Sequence, residues 1–245
     1  MNVLFQAFIT SDFFGKLIFI GLSILSVITW LVLLQKFFQY RTVRKEANKL
    51  QLFVVKAGNN ILSIDSSKID SGENEKEGLN PFLAIFNSIK EKTVEILDKN
   101  HFFISRNSTG KHDSVFLSTA DLEHLEATAQ ITLSNEAKRL EKNLYLLSTI
   151  APLAPFVGLL GTVWGILISL NEMQREATTH ANSAVLSGLT TALATTVIGL
   201  LIAIPALIAY NYLRNQLKDV CTEMEDFSSI LLSSIELQYR RVDIP

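Results

Sequence analysis

The 245-residue chain is 48% hydrophobic and 19% charged, where an average soluble domain carries about 25% charged residues. Its 22 basic and 24 acidic side chains leave a formal charge of −2, so there is no basic excess for a nucleic-acid partner. The single cysteine, Cys221, excludes an intramolecular disulfide and a cysteine-based zinc or iron–sulfur site.

The missing charge is concentrated in three places. Residues 17–35 (LIFIGLSILSVITWLVLLQ), 143–171 and 177–213 contain no Asp, Glu, Lys or Arg. A helix needs about 20 apolar residues to cross a hydrocarbon core, and all three stretches meet that requirement. The first is not a secretory signal: residues 1–14 are apolar, hold Asp12 instead of basic residues, and lead to no small-residue cleavage pattern. It reads as a retained span.

In chain order the expected organisation is an outer amino-terminus (1–16), span 1 (17–35), an inner helical segment (36–142), span 2 (143–171), an outer turn (172–182), span 3 (183–213) and an inner tail (214–245). Orientation follows the basic residues beside the spans. Lys36, Arg41, Arg44, Lys45, Lys49, Lys138, Arg139, Lys142, Arg214 and Lys218 fall on one side, and only Lys16 and Arg175 on the other. That asymmetry predicts an amino-terminus outside and a carboxy-terminus in the cytoplasm.

Outside the spans the pattern is helical throughout, so the fold class is an all-α integral membrane protein. Span 1 is expected to continue as helix to about Gly58. Residues 63–80, rich in Ser, Gly, Asp and Glu, read as a linker. Asn80-Pro81 starts a helix whose apolar face is Phe82, Ile85, Phe86, Ile89 and Ile96. Residues 100–117 read as an irregular connection. From Ser118 or Thr119 a helix with Leu122, Leu125, Ala129, Leu133, Leu140 and Leu144 on one stripe is expected to run unbroken into span 2. The tail repeats the pattern through Leu217, Val220, Met224, Phe227, Leu231, Ile235 and Tyr239. Spans 2 and 3 are thus expected to extend as long cytoplasmic helices.

Spans 2 and 3 differ from the Leu/Ile/Phe-rich first span. Ala151, Ala154, Gly158, Thr162, Gly165 and Ser169 share one face of span 2, with Gly161 beside them. Gly188, Ala192, Thr196, Gly199 and Ala203 form a similar ridge on span 3, and Ser183, Ser187, Thr190 and Thr191 make a polar strip. Small residues at four-residue spacing let helices approach closely in lipid, so Gly158, Gly161, Gly165, Gly188 and Gly199 are packing candidates. Pro155 and Pro205 join them, because with Pro152 they each remove a backbone bond that neighbouring groups must re-satisfy. Two readings stay open for these faces: helix–helix packing alone, or the lining of a cavity or pore that a further helix fills. No span carries an ionisable carboxylate or amine, so any proton relay here must borrow its titrating group from another chain.

The runs APLAPFVGLLGTVWGILISL (151–170) and SGLTTALATTVIGLLIAIPALIAYN (187–211) resemble the MotA/TolQ/ExbB proton-channel family, most closely its TolQ and ExbB branches. The string Gly-Leu-Leu-Gly-Thr-Val-Trp-Gly-Ile at 158–166 and Ala-Ile-Pro-Ala at 203–206 carry the resemblance. It implies a homo-oligomeric ring, pentameric in that family, in a bacterial inner membrane. A single-span partner of the ExbD/TolR type would supply a membrane aspartate, and proton flow would drive trans-envelope work through a TonB- or TolA-like protein. On this resemblance Thr162 and Thr196 match the family threonines of spans 2 and 3. Thr195, Thr191, Ser187 and Ser169 are further candidates for the proton pathway. One departure stands out: the family commonly has glutamate where this chain has Thr191.

Nothing points to an enzyme, a metal or a cofactor. His101, His112, His124 and His180 are scattered without ligand spacing, and no nucleotide fingerprint or Ser-His-Asp pattern occurs. Cys221, Trp30 and Trp164 read as packing or interfacial residues. The alternatives to the channel reading are a stator subunit of the MotA kind and a non-conducting membrane scaffold. Nothing in the residues separates TolQ from ExbB service, beyond a weak lean toward TolQ from the short amino-terminus.

Overall fold

The computed structural model describes residues 3–57, 80–107, 116–175 and 181–240. The expected linker at 63–79, together with His112 and His180, lies outside them. Among these described residues six helices follow in order: α1 Val3–Thr10, α2 Phe13–Ala57, α3 Pro81–Asn107, α4 Thr119–Glu141, α5 Leu144–Arg175 and α6 Ala181–Tyr239. Among the described residues the only non-helical pairing is an isolated bridge between Leu117 and Arg240. Three of the helical stretches are long and apolar enough to cross a membrane. The chain is an all-α membrane protein.

It divides into two compact units, one formed by Met1–Phe37 and Lys142–Asn215, the other by Phe38–Glu141 and Gln216–Pro245. In the first, Ile18 and Leu22 of α2 meet Ile150, Ala151 and Ala154 of α5 and Ile202, Ala203 and Ala206 of α6 in one apolar cluster. Around this cluster the outward faces are greasy: Ile24, Leu31, Leu160, Leu167, Leu193 and Leu201 are all largely exposed. Such an inverted surface is stable only in lipid, where apolar exposure carries no penalty.

The second unit is built like a soluble bundle. Phe82, Phe86 and Ile89 of α3, Leu125 and Leu140 of α4, and Met224, Phe227 and Leu231 of α6 are buried. Phe82 meets Phe227 edge to face at 5.6 Å. The Tyr40 hydroxyl donates to the Leu140 carbonyl at 3.2 Å, and Ser88 pairs with Thr132 at 2.9 Å. The apolar stripes read from the sequence are therefore intramolecular packing faces.

Helix starts carry chemical caps. Asn80 Oδ1 accepts from the amides of Phe82 and Leu83, which fixes the first turn of α3 ahead of its proline. At α4 the Ser118 hydroxyl accepts from the Asp121 amide, and Asp121 accepts from the Ser118 amide at 2.9 Å, a reciprocal capping box.

Two sequence expectations are corrected, and one helix is added. Residues 101–107 are not irregular, because α3 continues to Asn107, with no Pro or Gly before Gly110 to stop it. The helix from Thr119 does not run unbroken into span 2: Asn143 adopts φ 71°, a left-handed conformation that asparagine tolerates well, and separates α4 from α5. The amino-terminal residues, to which the sequence assigns no element, form α1. Pro152, Pro155 and Pro205 sit inside α5 and α6, which remain helical through them.

Partial burial opposes the charge of Asp121, but the Ser118 amide, the Asn100 side-chain amide and the Ser118 hydroxyl outweigh it and hold the carboxyl below its ordinary value. A depressed carboxyl pKa contributes stability above the unfolded value, about 3.9, and that contribution is lost as pH falls through the folded value. Ser118→Ala is predicted to cost about 1 kcal/mol at neutral pH. Read by thermal denaturation in detergent, the gap to wild type should narrow as the pH is lowered toward 3, while Ser118→Thr should stay near wild type.

Candidate functional site

The candidate site is the pairing of α5 with α6 inside the first unit. Its geometry begins with what two glycines lack. A methyl group added at Gly199 would stand 2.6 Å from the Ala154 carbonyl oxygen, and one at Gly158 would stand 2.9 Å from the Thr195 carbonyl oxygen and 3.0 Å from Thr196 Cα. These neighbours are backbone atoms that cannot rotate away. The two helices touch main chain to main chain, as small-residue ridges permit in lipid. Above them Gly161 faces Thr195, Gly165 faces Ala192 and Gly188 faces Ser169, again without room for a further carbon.

Because the backbones meet, hydroxyls reach carbonyls on the other helix. The Thr195 hydroxyl, buried to 1% exposure, donates to the Ala192 carbonyl at 2.7 Å and lies 3.3 Å from the Gly158 carbonyl. The Thr196 hydroxyl donates to that same Gly158 carbonyl at 3.1 Å. Ser169, also buried, donates to the Gly165 carbonyl at 2.9 Å and approaches the Val185 carbonyl at 3.4 Å. Interhelical bonds of this kind contribute about 0.6 kcal/mol each.

The candidate hydroxyls therefore fall into two groups. Thr195, Ser169 and Thr191 are enclosed within the chain. Thr162 and Thr196 are half-buried and keep one side open. Thr162 donates to its own helix at the Leu159 carbonyl, 2.7 Å away. With their protons committed to carbonyls, both threonine oxygens keep lone pairs that can accept a hydrogen bond from a protonated carboxyl group. Thr196 bonds to Gly158, one turn before Thr162, so the two lie at neighbouring levels of the helix pair. The side chain of Ser187 lies outside the described residues.

The amino-terminus closes one end of this unit, a feature that the sequence reading left out. Asp12 accepts from the amides of Phe14 and Gly15 and so caps α2. Its Oδ2 also accepts from the Trp164 indole nitrogen at 3.0 Å, while Phe14 packs on the same indole at 4.4 Å. On α1, Ala7 is buried and its carbonyl accepts from the Thr191 hydroxyl at 3.4 Å. Beneath lies a cavity of about 310 Å³ lined by Thr10, Ser11, Asp12, Gly165, Ile168, Glu172, Gly188 and Thr191. The Ser11-Asp12 pair just before the apolar run was the available signal, since a helix-capping dipeptide there marks a break between two helices. Among the described residues, no group of His, Cys, Asp and Glu could hold a metal ion.

Gly199→Ala is predicted to lower the stability of the assembled protein by about 1–3 kcal/mol, the usual cost of overpacking. Gly21→Ala is the control, because nothing lies within 4 Å of the added carbon there. Melting curves in detergent micelles should separate the two variants. Trp164→Phe keeps the ring but removes the donor to Asp12, and should increase proteolysis of the amino-terminal segment while leaving the fold intact.

The profile of the MotA/TolQ/ExbB proton channel family matches residues 81–226, more than half of the chain. A biopolymer transport protein ExbB of Pseudomonas putida is 29% identical over 236 residues, covering 94% of this chain and 63% of that protein, so the chain spans less than two thirds of its length. The ExbB of Aquifex aeolicus is 35% identical over 115 residues, covering 47% of this chain and 74% of that protein. A Tol-Pal system protein TolQ of Pseudomonas aeruginosa is 40% identical over 94 residues, 38% of this chain and 39% of that one. A profile match of that extent, on a chain with three membrane-length apolar helices, places this multi-pass membrane protein in the MotA/TolQ/ExbB proton channel family.

Proposed function

We propose that the chain is the pore-forming subunit of an inner-membrane energy transducer driven by the proton motive force. Copies of it form a ring, pentameric as in the resemblance above, around a single-span partner of the ExbD/TolR type. That partner carries the membrane aspartate, and the motion generated works on a TonB- or TolA-like protein spanning the envelope. The amino-terminus and the 172–182 turn face the periplasm, and the 36–142 segment and the tail face the cytoplasm, in line with the basic residues flanking the spans.

One observation carries the reading: a membrane helix pair with buried and half-buried hydroxyls and no carboxylate or amine between residues 143–171 or 177–213. A hydroxyl cannot hold a proton near neutral pH, so it serves as a bonding partner for a carrier that can. Thr162 and Thr196 are the positions open to such a carrier. Thr195 and Ser169 act one layer behind, fixing the carbonyls of Gly158 and Gly165. Thr191 and Ser187 belong to the outer end of the same path.

The test is proton flux into liposomes holding the chain together with its cognate single-span partner. Thr162→Val and Thr196→Val keep the side-chain shape and remove the oxygen. Losing one hydrogen bond in the rate-limiting state, on the order of 1.4 kcal/mol, is a roughly tenfold drop in rate. Thr149→Val, an exposed position whose hydroxyl donates to the Tyr145 carbonyl, should conduct as wild type. Undiminished flux in the doubly substituted chain would refute the pathway, and no flux from the wild-type pair would favour a scaffold.

A further inference from the structure

The first unit carries a second concavity that the proton pathway does not use. It is an open groove of about 710 Å³ between α1, α2 and α6. Phe5 and Phe8 of α1 form one wall, and Phe19, Ile24 and Val27 of α2 the other, with Ile198 of α6 at its base. Phe8 meets Phe19 edge to face at 5.8 Å, and behind them Phe19, Ala7 and Ala194 form a small buried cluster that holds α1 in place. The lining includes the Ser23 hydroxyl, which already donates to the Phe19 carbonyl at 2.9 Å. The groove therefore asks for an apolar occupant, the Ser23 hydroxyl being the one polar side chain of its lining.

We propose that this groove is a binding site for one acyl chain of a membrane phospholipid, taken from the leaflet on the amino-terminal side. Its place in the bilayer supports that occupant. From Phe19 to Ile28 the helix rises about 14 Å, close to half of a hydrocarbon core of about 30 Å. The groove thus spans a single leaflet. It opens onto the lipid-exposed face of α2, where Ile20, Ile24 and Val27 are each more than half exposed, so lipid reaches it without any movement of the chain. A slot one leaflet deep and apolar along its length matches an acyl chain.

The site matters for α6 because Ile198 lies two residues beyond Thr196. At 100° per residue the two side chains project from opposite sides of the helix. A chain seated in the groove braces α6 from behind, opposite the face that holds Gly158. The inference rests on membrane placement and packing alone, and it stands whether or not the protein conducts protons.

The test uses the full chain, with its partner, in nanodiscs containing phosphatidylethanolamine that bears a diazirine near the middle of one acyl chain. After illumination, mass spectrometry should find label concentrated at Phe5–Phe8 and Ser23–Val27. Ser23→Trp, which fills the groove, should reduce that label severalfold, and Leu31→Trp, on the lipid-exposed face beyond the lining, should not. Label spread evenly along Leu17, Ile24, Leu31 and Leu34 would mean ordinary boundary lipid and overturn the proposal. So would an efficient disulfide between two copies bearing Ile24→Cys in a Cys221→Ser background, which would put protein in the groove instead. The wild-type labelling map decides the matter even if the tryptophan variant fails to assemble.

Discussion

The absence of a side chain at two positions governs the membrane unit. With Gly158 and Gly199 bare, α5 and α6 approach until carbonyl oxygens of one helix lie against the backbone of the other. Lipid tails give helices no hydrophobic reason to associate, so this contact, with the hydroxyl bonds it permits, must supply the attraction. The hydroxyl bonds at the Gly158 carbonyl follow from it. Thr195 and Thr196 reach the Gly158 carbonyl only because no Cβ intervenes. A larger residue at either glycine would separate the helices and strand those hydroxyls in hydrocarbon, where an unpaired polar group costs several kcal/mol.

The two units obey opposite rules on one chain. The first packs small residues where α5 meets α6 and exposes many of its large apolar side chains, and the second buries phenylalanine and leucine and exposes charge. The helices α2 and α6 pass through both kinds of surroundings without a break, so each has a lipid-adapted and a water-adapted part. Between α4 and α5 the chain behaves differently. Asn143 turns left-handed at the junction, and the Leu146 amide bonds to the Asn143 carbonyl at 3.2 Å to start the next helix. Two polar residues, Lys142 and Asn143, separate a water-facing helix from a membrane one.

Much of this was legible in the residues. Charge-free runs located the spans because an ionised group in lipid is too costly to place at random. Four-residue spacing of Gly, Ala, Ser and Thr showed which faces meet, since only those side chains allow close contact. The stripes Phe82–Ile96 and Val220–Ile235 revealed buried faces by period alone. What escaped was decided by contacts distant in the chain. A helical wheel places Thr195 and Thr196 on adjacent strips, but only the position of Gly158 makes one enclosed and leaves the other open. The helix at Val3–Thr10 is too short for periodicity to distinguish, and it is held by Phe19, Ala194 and Thr191, up to 184 residues away. Asn143 was invisible as a break because asparagine is also tolerated inside helices at modest cost.

Thr191 shows how the amino-terminal helix and the absence of an acid fit together. Its side chain is buried, and its hydroxyl meets the Ala7 carbonyl, an acceptor. An ionised glutamate at that position would meet the Ala7 carbonyl oxygen, which repels it, with the neighbouring Thr10 and Ser11 hydroxyls already bonded to that carbonyl. Threonine donates to the carbonyl and lets α1 stay. The carboxylates of the same cavity instead belong to Asp12 and Glu172, both solvent-exposed at its lining. Asp12 is further fixed by the α2 amides and the Trp164 indole. The acid at this end of the unit is thus held at the rim, where its charge is hydrated and the geometry of Asp12 is set by three N–H donors of the fold. The interior is left to hydroxyls, which can accept a guest's proton bond without competing for the proton itself.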